Sequence, residues 1–273
     1  MTRAARQPPD RDTAPAVQKL RVRYAKRGRL RFASHRDFQR ALERALRRAE
    51  VPMAYSAGFT PHPKVSYLGA AATGAASEAE YLELSLARTV DPDKLRVALD
   101  SALSPGLDVV EVVEAGGGSL ADRLQASAWQ IELRGVESAR AAGAVATFLA
   151  AEEVEVSRRT KSGMRVFDAR GPVVQMSVSG PALHSGFTGP CAILRLVVRH
   201  TTPAVRPDDV LAALHAVAGL TPPTPPLATR LAQGPLLEDR ATADGGSTES
   251  DVTDVIGDPL AADRTPGAPA VGS

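Results

Sequence analysis

The apolar positions of the chain change period along its length, and each period predicts a type of element. Residues 19–32 alternate between apolar and basic side chains, which predicts a strand, followed by a turn at Arg27-Gly28 and a continuation through Leu30 and Phe32. Ser34, followed three residues later by Asp37, is typical of a helix N-cap with a capping box. Apolar residues then recur at helical spacing from Phe38 onward, so we predict a helix over residues 35–49.

The rest of the chain gives two similar series of elements. The first half has the order β-α-β-β-α-β, which is the order of a ferredoxin-like fold. Its further elements are strands at 65–68, 80–87 and 107–113 and a helix at 91–103. The second half has predicted strands at 129–133, 154–157, 164–167, 173–178, 192–200 and 228–231, and predicted helices at 137–151 and 206–218.

These series predict an α+β protein made of two ferredoxin-like (βαββαβ) halves in tandem, joined by a glycine-rich linker at 116–119. The two ends of the chain are rich in Pro, Gly, Ser, Thr and Asp, which is typical of disordered segments. We therefore predict a disordered segment at 1–17, a ferredoxin-like domain at 18–115, a second one at 116–237 and a disordered acidic tail at 238–273.

Charge is distributed unevenly, although the net charge of the chain is only +2. Residues 17–70 carry thirteen lysines and arginines against three carboxylates, whereas residues 238–273 have a net charge of −6. Such a basic region favours a polyanionic partner such as RNA, or the acidic surface of another protein. The acidic tail could then shield the basic region.

The arginines of this basic region are regularly spaced, so their positions in a fold can be predicted. The first predicted helix carries arginines at every fourth position, namely Arg36, Arg40, Arg44 and Arg48, with Arg47 beside them. They form a row opposite the apolar face of the helix, and arginines of the preceding strand could face them across the sheet edge. A guanidinium group bonds phosphate bidentately and stacks on bases, although an ordinary solvated face is the alternative. The predicted binding residues of this set are Arg21, Arg23, Arg29, Arg31, Arg36, Arg40, Arg44, Arg47 and Arg48.

The loop at 55–66 combines several features of a ligand-binding segment. Two prolines stiffen it, and loops held on a scaffold often carry function. Tyr55 and Phe59 belong to the few aromatic residues of the chain, so either could stack on a base, although Phe59 could equally fill the core. His62, fixed between the prolines, and the nearby Lys64 complete the predicted binding residues.

His35, Asp37 and His62 also allow a catalytic or metal-binding interpretation. A His-x-Asp pair with a loop histidine could bind a metal ion or transfer protons. In the simpler interpretation, Asp37 caps the helix and the two histidines form hydrogen bonds within the loops. Because the chain has no Gly-x-Ser-x-Gly, phosphate-loop or dinucleotide motif, we expect a protein that is not an enzyme.

The composition excludes several classes of protein. Cys191 is the only cysteine, so the chain has no intramolecular disulfide and no cysteine set for an iron–sulfur cluster or a thiolate zinc site. We expect no cofactor and no metal, and a buried strand around Cys191. No segment has the roughly 18 apolar residues of a membrane span, and the N-terminal residues lack the apolar core of a secretory signal. The expected location is the cytoplasm, without a membrane partner.

Residues 19–113 contain a set of motifs, of which the Gly-Phe-Thr-Pro-His-Pro block at 58–63 is the most specific. The other residues of the set are Arg21–Lys26, Gly28–Phe32, Ser34, His35, Asp37, Arg47–Ala49, Pro52, Ala54–Ser56, Lys64, Ser66, Gly74, Ser77, Glu78, Glu80 and Tyr81. In these residues the chain resembles a known family, the radical-SAM-linked domain of unknown function that occurs fused to, or encoded beside, a radical SAM protein. Weaker resemblance extends through 173–176 and 207–209.

The resemblance implies an accessory role, because this chain lacks the cysteine motif of a radical SAM cluster. Members of the family are often encoded near a ribonuclease of the E/G type, which implies an RNA context. We therefore expect a non-catalytic binding protein that recognises RNA, or an RNA-linked substrate, for a partner such as a radical SAM protein or that ribonuclease. The alternatives are an adaptor that docks on an acidic partner protein and, less favoured, an enzyme that uses the two histidines and Asp37.

Overall fold

The computed structural model describes residues 15–57, 59–160, 163–180, 189–238 and 251–264. The chain divides into two compact units, each built from separate stretches of sequence. Of the described residues, the first unit takes 15–57, 59–73, 80–119 and 260–264. The second takes 74–79, 120–160, 163–180, 189–238 and 251–259.

The first unit combines an antiparallel arrangement of strands with two long helices. Its strands run in the order β4-β1-β3-β2, with β1 antiparallel to β4 and β2 antiparallel to β3. The first residues of β3 belong to the second unit. The elements are β1 (Gln18–Lys26), a 3₁₀ helix (Gly28–Phe32), α1 (His35–Arg48), β2 (Val65–Leu68), β3 (Ala76–Leu86), α2 (Pro92–Ala102) and β4 (Leu107–Glu114).

The apolar core of the first unit lies between these strands and the two helices. Alternation along β1 directs Leu20, Val22 and Tyr24 into this core, where they meet the buried face of α1. The ring of Tyr24 stacks on Phe38, with centroids 4.5 Å apart. Truncating a fully buried leucine here, such as Leu42 of α1, would cost about 2–5 kcal/mol of unfolding free energy.

The second unit has a sheet in the order β10-β5-β9-β8, in which these neighbours are antiparallel. The strand β10 also pairs in parallel with Ala76 and Ser77 at the start of β3. β6 and β7 form a separate two-stranded sheet. The elements are α3 (Leu120–Arg123), β5 (Ala126–Arg134), α4 (Ser138–Ala150), β6 (Glu155–Thr160), β7 (Gly163–Asp168), β8 (Val173–Ser179), β9 (Cys191–Arg199), α5 (Pro207–Ala218) and β10 (Leu227–Gly234).

The predicted α+β class is confirmed, and so is the buried strand around Cys191, where burial raises the pKa of the thiol. Two local predictions were wrong. The first strand ends at Lys26, before the predicted turn at Arg27-Gly28, but the residues after the turn form a 3₁₀ helix instead of the extended chain predicted for Leu30 and Phe32; Gly28 opens this helix with a left-handed φ of 55°. The strand predicted at 80–87 begins earlier, at Ala76.

Part of the predicted disordered tail is folded. Val252, Val255 and Ile256 are buried against the sheet of the second unit, and Leu236 forms a β-bridge with Ile256. The composition of this segment is polar, but its few aliphatic residues are enough to pack it against the sheet. Residues 1–14, 239–250 and 265–273 of the predicted disordered ends lie outside the described residues. Among the described residues, no helix is long and apolar enough to span a membrane.

Candidate nucleic-acid interface

The helix α1 begins where the sequence predicts, at a capping box. The backbone N–H of Asp37 donates to Ser34 Oγ at 3.2 Å, and the backbone N–H of Ser34 donates to the Asp37 carboxylate at 3.3 Å. The Ser34 hydroxyl also donates to that carboxylate at 2.6 Å. These hydrogen bonds lower the pKa of Asp37. Asp37 therefore acts as a helix cap, which matches the simpler of its two interpretations.

The two sides of α1 differ sharply in character. Phe38, Leu42, Ala45 and Leu46 are buried in the core. At 3.6 residues per turn, the opposite side carries four exposed arginines within a sector of about 80° and over about 16 Å of the helix. None of their guanidinium groups makes a hydrogen bond or ion pair with a described residue. We call this set the arginine stripe; its members are Arg36, Arg40, Arg44 and Arg47.

Arg48 follows the stripe in sequence but has a structural role. Its guanidinium Nη1 donates to the carbonyl oxygen of Ala102 at 3.0 Å, at the last residue of α2. The final carbonyls of a helix have no partner within the helix, so this bond satisfies one of them. Although Arg48 was predicted to bind a ligand, it is engaged in packing α1 against α2.

Arg21, another predicted binding residue, is removed from the surface altogether. Its Nη1 donates to both carboxylate oxygens of Asp263 at 2.6 and 2.7 Å, its Nε to Glu83 at 3.0 Å and its Nη2 to the carbonyl of Gly118 at 2.6 Å. Burial acts to lower the pKa of Arg21, but these two carboxylates outweigh it and the pKa is raised. The backbone N–H of Gly116 completes the shell of Asp263 at 2.8 Å.

The reason for this difference is the alternation of β1. Because Leu20 and Val22 face α1 in the core, Arg21 and Arg23 project from the other face of the strand. Arg21 is there covered by the segment at 260–264, and Arg23 is half-buried. The predicted groove in which these strand arginines face the helix arginines is therefore not formed.

The 3₁₀ helix before α1 adds groups beside the start of the helix. Arg29 is exposed, and the guanidinium carbon of Arg31 lies 4.6 Å from the centroid of the Phe32 ring. Phe32 itself is 59% exposed. The sequence predicted the turn at Arg27-Gly28 but treated Phe32 as part of the alternating apolar pattern after it, so Phe32 was not among the predicted binding residues.

The predicted binding loop is held at its base by backbone hydrogen bonds. The N–H of Ala54 donates to Ser85 of β3, and the N–H of Lys64 donates back to Ala54, both at 2.8 Å. Further out, the N–H of Ser56 donates to the carbonyl of His62 at 2.9 Å. The first residue of the predicted Gly-Phe-Thr-Pro-His-Pro block, Gly58, lies outside the described residues.

The side chains of this loop are presented to solvent. Phe59 is 56% exposed, so it does not fill the core, which was the other interpretation of it. Tyr55 is 41% exposed and lines a small cavity with Glu43 and Arg47, which places an aromatic ring beside one end of the arginine stripe. His62 and Lys64 are also exposed. The described residues of the loop therefore present aromatic and basic groups to solvent.

The catalytic alternative gains no support from the geometry. The His35 ring packs edge-to-face on Tyr67, with centroids 5.0 Å apart, while Asp37 is engaged in the helix cap. Burial, and then the charge of Glu43, raise the pKa of Tyr67 to about 12. Within the described part of the chain, no group of three or more His, Cys, Asp or Glu residues could hold a metal ion.

A comparison with protein-family models places these features in one family. The model described as "uncharacterized protein conserved in bacteria (DUF2344)" matches residues 19–207, which include the arginine stripe and the loop. A comparison with curated proteins finds no match. Because the matched region is more than half of the 273 residues, the chain belongs to this bacterial family.

Proposed function

We propose that the first unit binds single-stranded RNA through the arginine stripe and the aromatic residues around it. The observation that carries this proposal is the state of the four arginines: they are exposed on one side of α1 and have no ion pair or hydrogen bond with the described residues. Elsewhere the same chain neutralises its arginines readily, as Arg21 and Arg264 show. The stripe is thus an exposed positive surface whose nearest carboxylates, such as Asp37, act on it through space and not through ion pairs.

The surroundings of the stripe favour RNA among the possible polyanions. Phe32 and Phe59 are exposed rings in the segments on either side of α1, and Tyr55 lies beside Arg47. Sequence-tolerant recognition of single strands combines arginine contacts to phosphate with bases stacked on aromatic rings. An acidic protein surface would need the charge of the stripe but not the exposed rings.

We further propose that this RNA contact serves a partner enzyme in the cytoplasm, and that the chain itself is not catalytic. The support is the resemblance to the radical-SAM-linked domain described above, which implies a radical SAM protein or a ribonuclease of the E/G type as partner. In this role the chain would hold RNA, or an RNA-linked substrate, in reach of that enzyme.

The fold proposal can also be made more specific. We propose that both sheets are ferredoxin-like, with β6 and β7 as an insertion in the second. The support is the strand order: β4-β1-β3-β2 in one unit and β10-β5-β9-β8 in the other each place the fourth, first, third and second strands side by side. An experimentally determined structure of the chain tests this proposal, and we expect it to reproduce both strand orders.

The RNA proposal is tested by fluorescence anisotropy with a labelled, unstructured RNA oligonucleotide of mixed sequence. Each phosphate contact on a single strand contributes a slope of about −0.7 to the plot of log affinity against log salt. Four stripe contacts therefore predict a slope of about −2.8, and the double variant Arg40→Glu, Arg44→Glu should reduce it to about −1.4.

The matched control reverses two other cations of the first unit, with Arg88→Glu and Lys94→Glu. Both side chains are exposed and, like the stripe, make no hydrogen bond or ion pair with described residues. This control should keep most of the affinity and nearly the full slope, because the same change in net charge occurs away from the stripe. A salt-independent affinity, or an equal loss in both double variants, would contradict the proposal.

A further inference from the structure

The second unit carries a β-hairpin, β6–β7, that forms a sheet of its own. Its strands pair in register from Glu155 opposite Asp168 to Thr160 opposite Gly163, and the Thr160 hydroxyl donates to the carbonyl of Gly163 at 2.9 Å near the turn. The hairpin therefore has a fixed register and two distinct faces.

One face of the hairpin is attached to α5 and its flanking chain. Arg158 of β6 donates to the buried carboxylate of Asp209 at 2.5 Å and to the carbonyl of Ala204 at 3.2 Å. Its guanidinium also lies 4.9 Å from the centroid of the Phe167 ring on β7. Val156, on the same face, is buried. Burial raises the pKa of Asp209 even beside Arg158. This face is an anchor.

The other face and the outer edge of the hairpin lack such packing. Cross-strand register places Arg159 opposite Met164 and Ser157 opposite Val166 on this face, and Met164 and Val166 are 65% and 58% exposed. Along β7 they alternate with Arg165, which is exposed on the opposite face. Within the part of the chain that the structure describes, β7 pairs only with β6, and neither Arg159 nor Arg165 has an ion pair or hydrogen bond from its side chain.

We propose that β7 is a docking edge for an extended segment of a partner protein in which aliphatic and acidic residues alternate. An exposed apolar edge strand is a template for strand addition, in which main-chain hydrogen bonds bind the segment and alternate side chains select it. A segment added beside β7 would place its aliphatic residues next to Met164 and Val166 and its carboxylates next to Arg165.

The chemistry of the hairpin favours a partner protein segment over two other candidates, an RNA strand and a second copy of this chain. RNA would be recognised through aromatic rings, but the exposed apolar groups here are aliphatic, whereas methionine and arginine together are enriched in protein–protein interfaces. A second copy of the chain would bring its own Arg159 and Arg165 against the same cations, and like charges on neighbouring strands are unfavourable. The acidic, aliphatic partner segment satisfies both the apolar side chains and the charge.

The test uses the full chain and a labelled synthetic peptide that alternates valine and glutamate over six positions, the length of β7. We expect saturable binding, and protection of the backbone amides of β7 from hydrogen exchange when the peptide is bound. Replacement of the glutamates by lysine, or of the valines by serine, should weaken binding at least about tenfold. The variants Met164→Ser with Val166→Ser, and Arg165→Glu, should do the same.

The controls are exposed residues of matched type elsewhere, Val97→Ser on α2 and Arg88→Glu, which should leave peptide binding unchanged. The proposal is overturned if the peptide fails to bind or protects no β7 amides. It is also overturned if the hairpin variants lose RNA binding instead, or if sedimentation shows a dimer that depends on Met164 and Val166. A peptide that fails to bind, or a dimer that depends on Met164 and Val166, would leave the salt dependence of RNA binding by the arginine stripe unchanged, so this inference and the RNA proposal can fail independently.

Discussion

Arg21 and the arginine stripe lie in the same unit and in the same basic stretch of sequence, yet they are opposites in the structure. The guanidinium of Arg21 is buried and reaches Asp263, Glu83 and the carbonyl of Gly118. The four guanidinium groups of the stripe are exposed and form no hydrogen bond or ion pair with a carboxylate among the described residues. Charge density along the sequence does not distinguish these two uses of arginine; pairing in the fold does.

The difference follows from the elements that carry the residues. A helix that packs by one side leaves its opposite side in water, so charged residues there need no partner. A strand within a sheet that is covered on both faces buries both sets of side chains, and a buried cation is tolerated only when it is paired and fully hydrogen-bonded. Asp263 supplies that pairing for Arg21.

The largest expected effect tests the buried side of this comparison. The substitution Asp263→Ala leaves the guanidinium of Arg21 buried without its bidentate partner, which should lower the unfolding free energy of the chain by about 3–5 kcal/mol. The measurement is urea unfolding followed by circular dichroism. The neighbouring variant Arg264→Ala removes the ion pair with Glu111, which is partly exposed, and should cost about 0–1 kcal/mol.

The two variants truncate adjacent residues and each removes one ion pair, so they compare a buried pair with a partly exposed one in the same segment. Equal losses of unfolding free energy in the two variants would mean that the segment at 260–264 does not hold the guanidinium of Arg21. The contrast between the buried and the exposed arginines would then no longer stand.

The features of the fold that could be predicted from the sequence are those that depend on the spacing of residues close together in the chain. The capping box of α1 depends on residues three positions apart, and its hydrogen bonds are present as predicted. The side of the helix that carries the stripe follows from the period of its apolar residues. The partner of Arg21 could not be predicted, because Asp263 is 242 residues away and belongs to a segment whose composition indicates disorder. Earlier in that segment, Val252, Val255 and Ile256 are buried against the sheet of the second unit despite the same polar composition.

The geometry of the candidate site follows the same division. The exposed side of α1 could be predicted because helical spacing is a local signal. The burial of Arg21 and the hydrogen bond of Arg48 to α2 could not, since each depends on a partner that only the fold supplies. The turn at Arg27-Gly28 was predicted, but the 3₁₀ helix that leaves Phe32 exposed was not.

A second prediction concerns the exposed side chains of the proposed RNA interface. Phe59→Ala should weaken binding of single-stranded RNA by about 1–3 kcal/mol, or roughly five- to 150-fold, because stacking of one base on the ring is lost. The same variant should leave the unfolding free energy nearly unchanged, since the ring is 56% exposed. Anisotropy titration and urea unfolding measure the two quantities separately.

The matched control for Phe59 is Val97→Ala, which truncates another exposed apolar side chain in the same unit. It should alter neither quantity. If Phe59→Ala binds RNA as tightly as the parent chain, the aromatic part of the proposed interface is wrong, while the contribution of the stripe would remain to be judged by its salt dependence.

A third prediction concerns the cap that fixes the start of the stripe. Ser34→Ala removes the hydroxyl that bonds Asp37 and should lower the unfolding free energy by about 1 kcal/mol near neutral pH. Because the pKa of Asp37 in the folded chain lies below its ordinary value of 3.8, its stabilising contribution is present above that pH and is lost as the pH falls through the lower, folded value. Urea unfolding between neutral and acidic pH should therefore show a smaller acid-induced loss in Ser34→Ala than in the parent chain. An unchanged difference between the two chains across this range would contradict the role assigned to the cap.

The smallest expected effect comes from a comparison of two arginines on the same helix, Arg48 and Arg44. Arg48→Ala loses the hydrogen bond to the last carbonyl of α2 and should cost about 0.5–1.5 kcal/mol of unfolding free energy. Arg44→Ala, one turn earlier, removes a guanidinium without a described partner and should change stability by less than about 0.5 kcal/mol. RNA affinity should respond in the opposite order, with the larger loss in Arg44→Ala, because its guanidinium is available to phosphate. Parallel urea unfolding and anisotropy titrations measure both orders, and a single order for stability and affinity would mean that the exposed arginines are part of the packing after all.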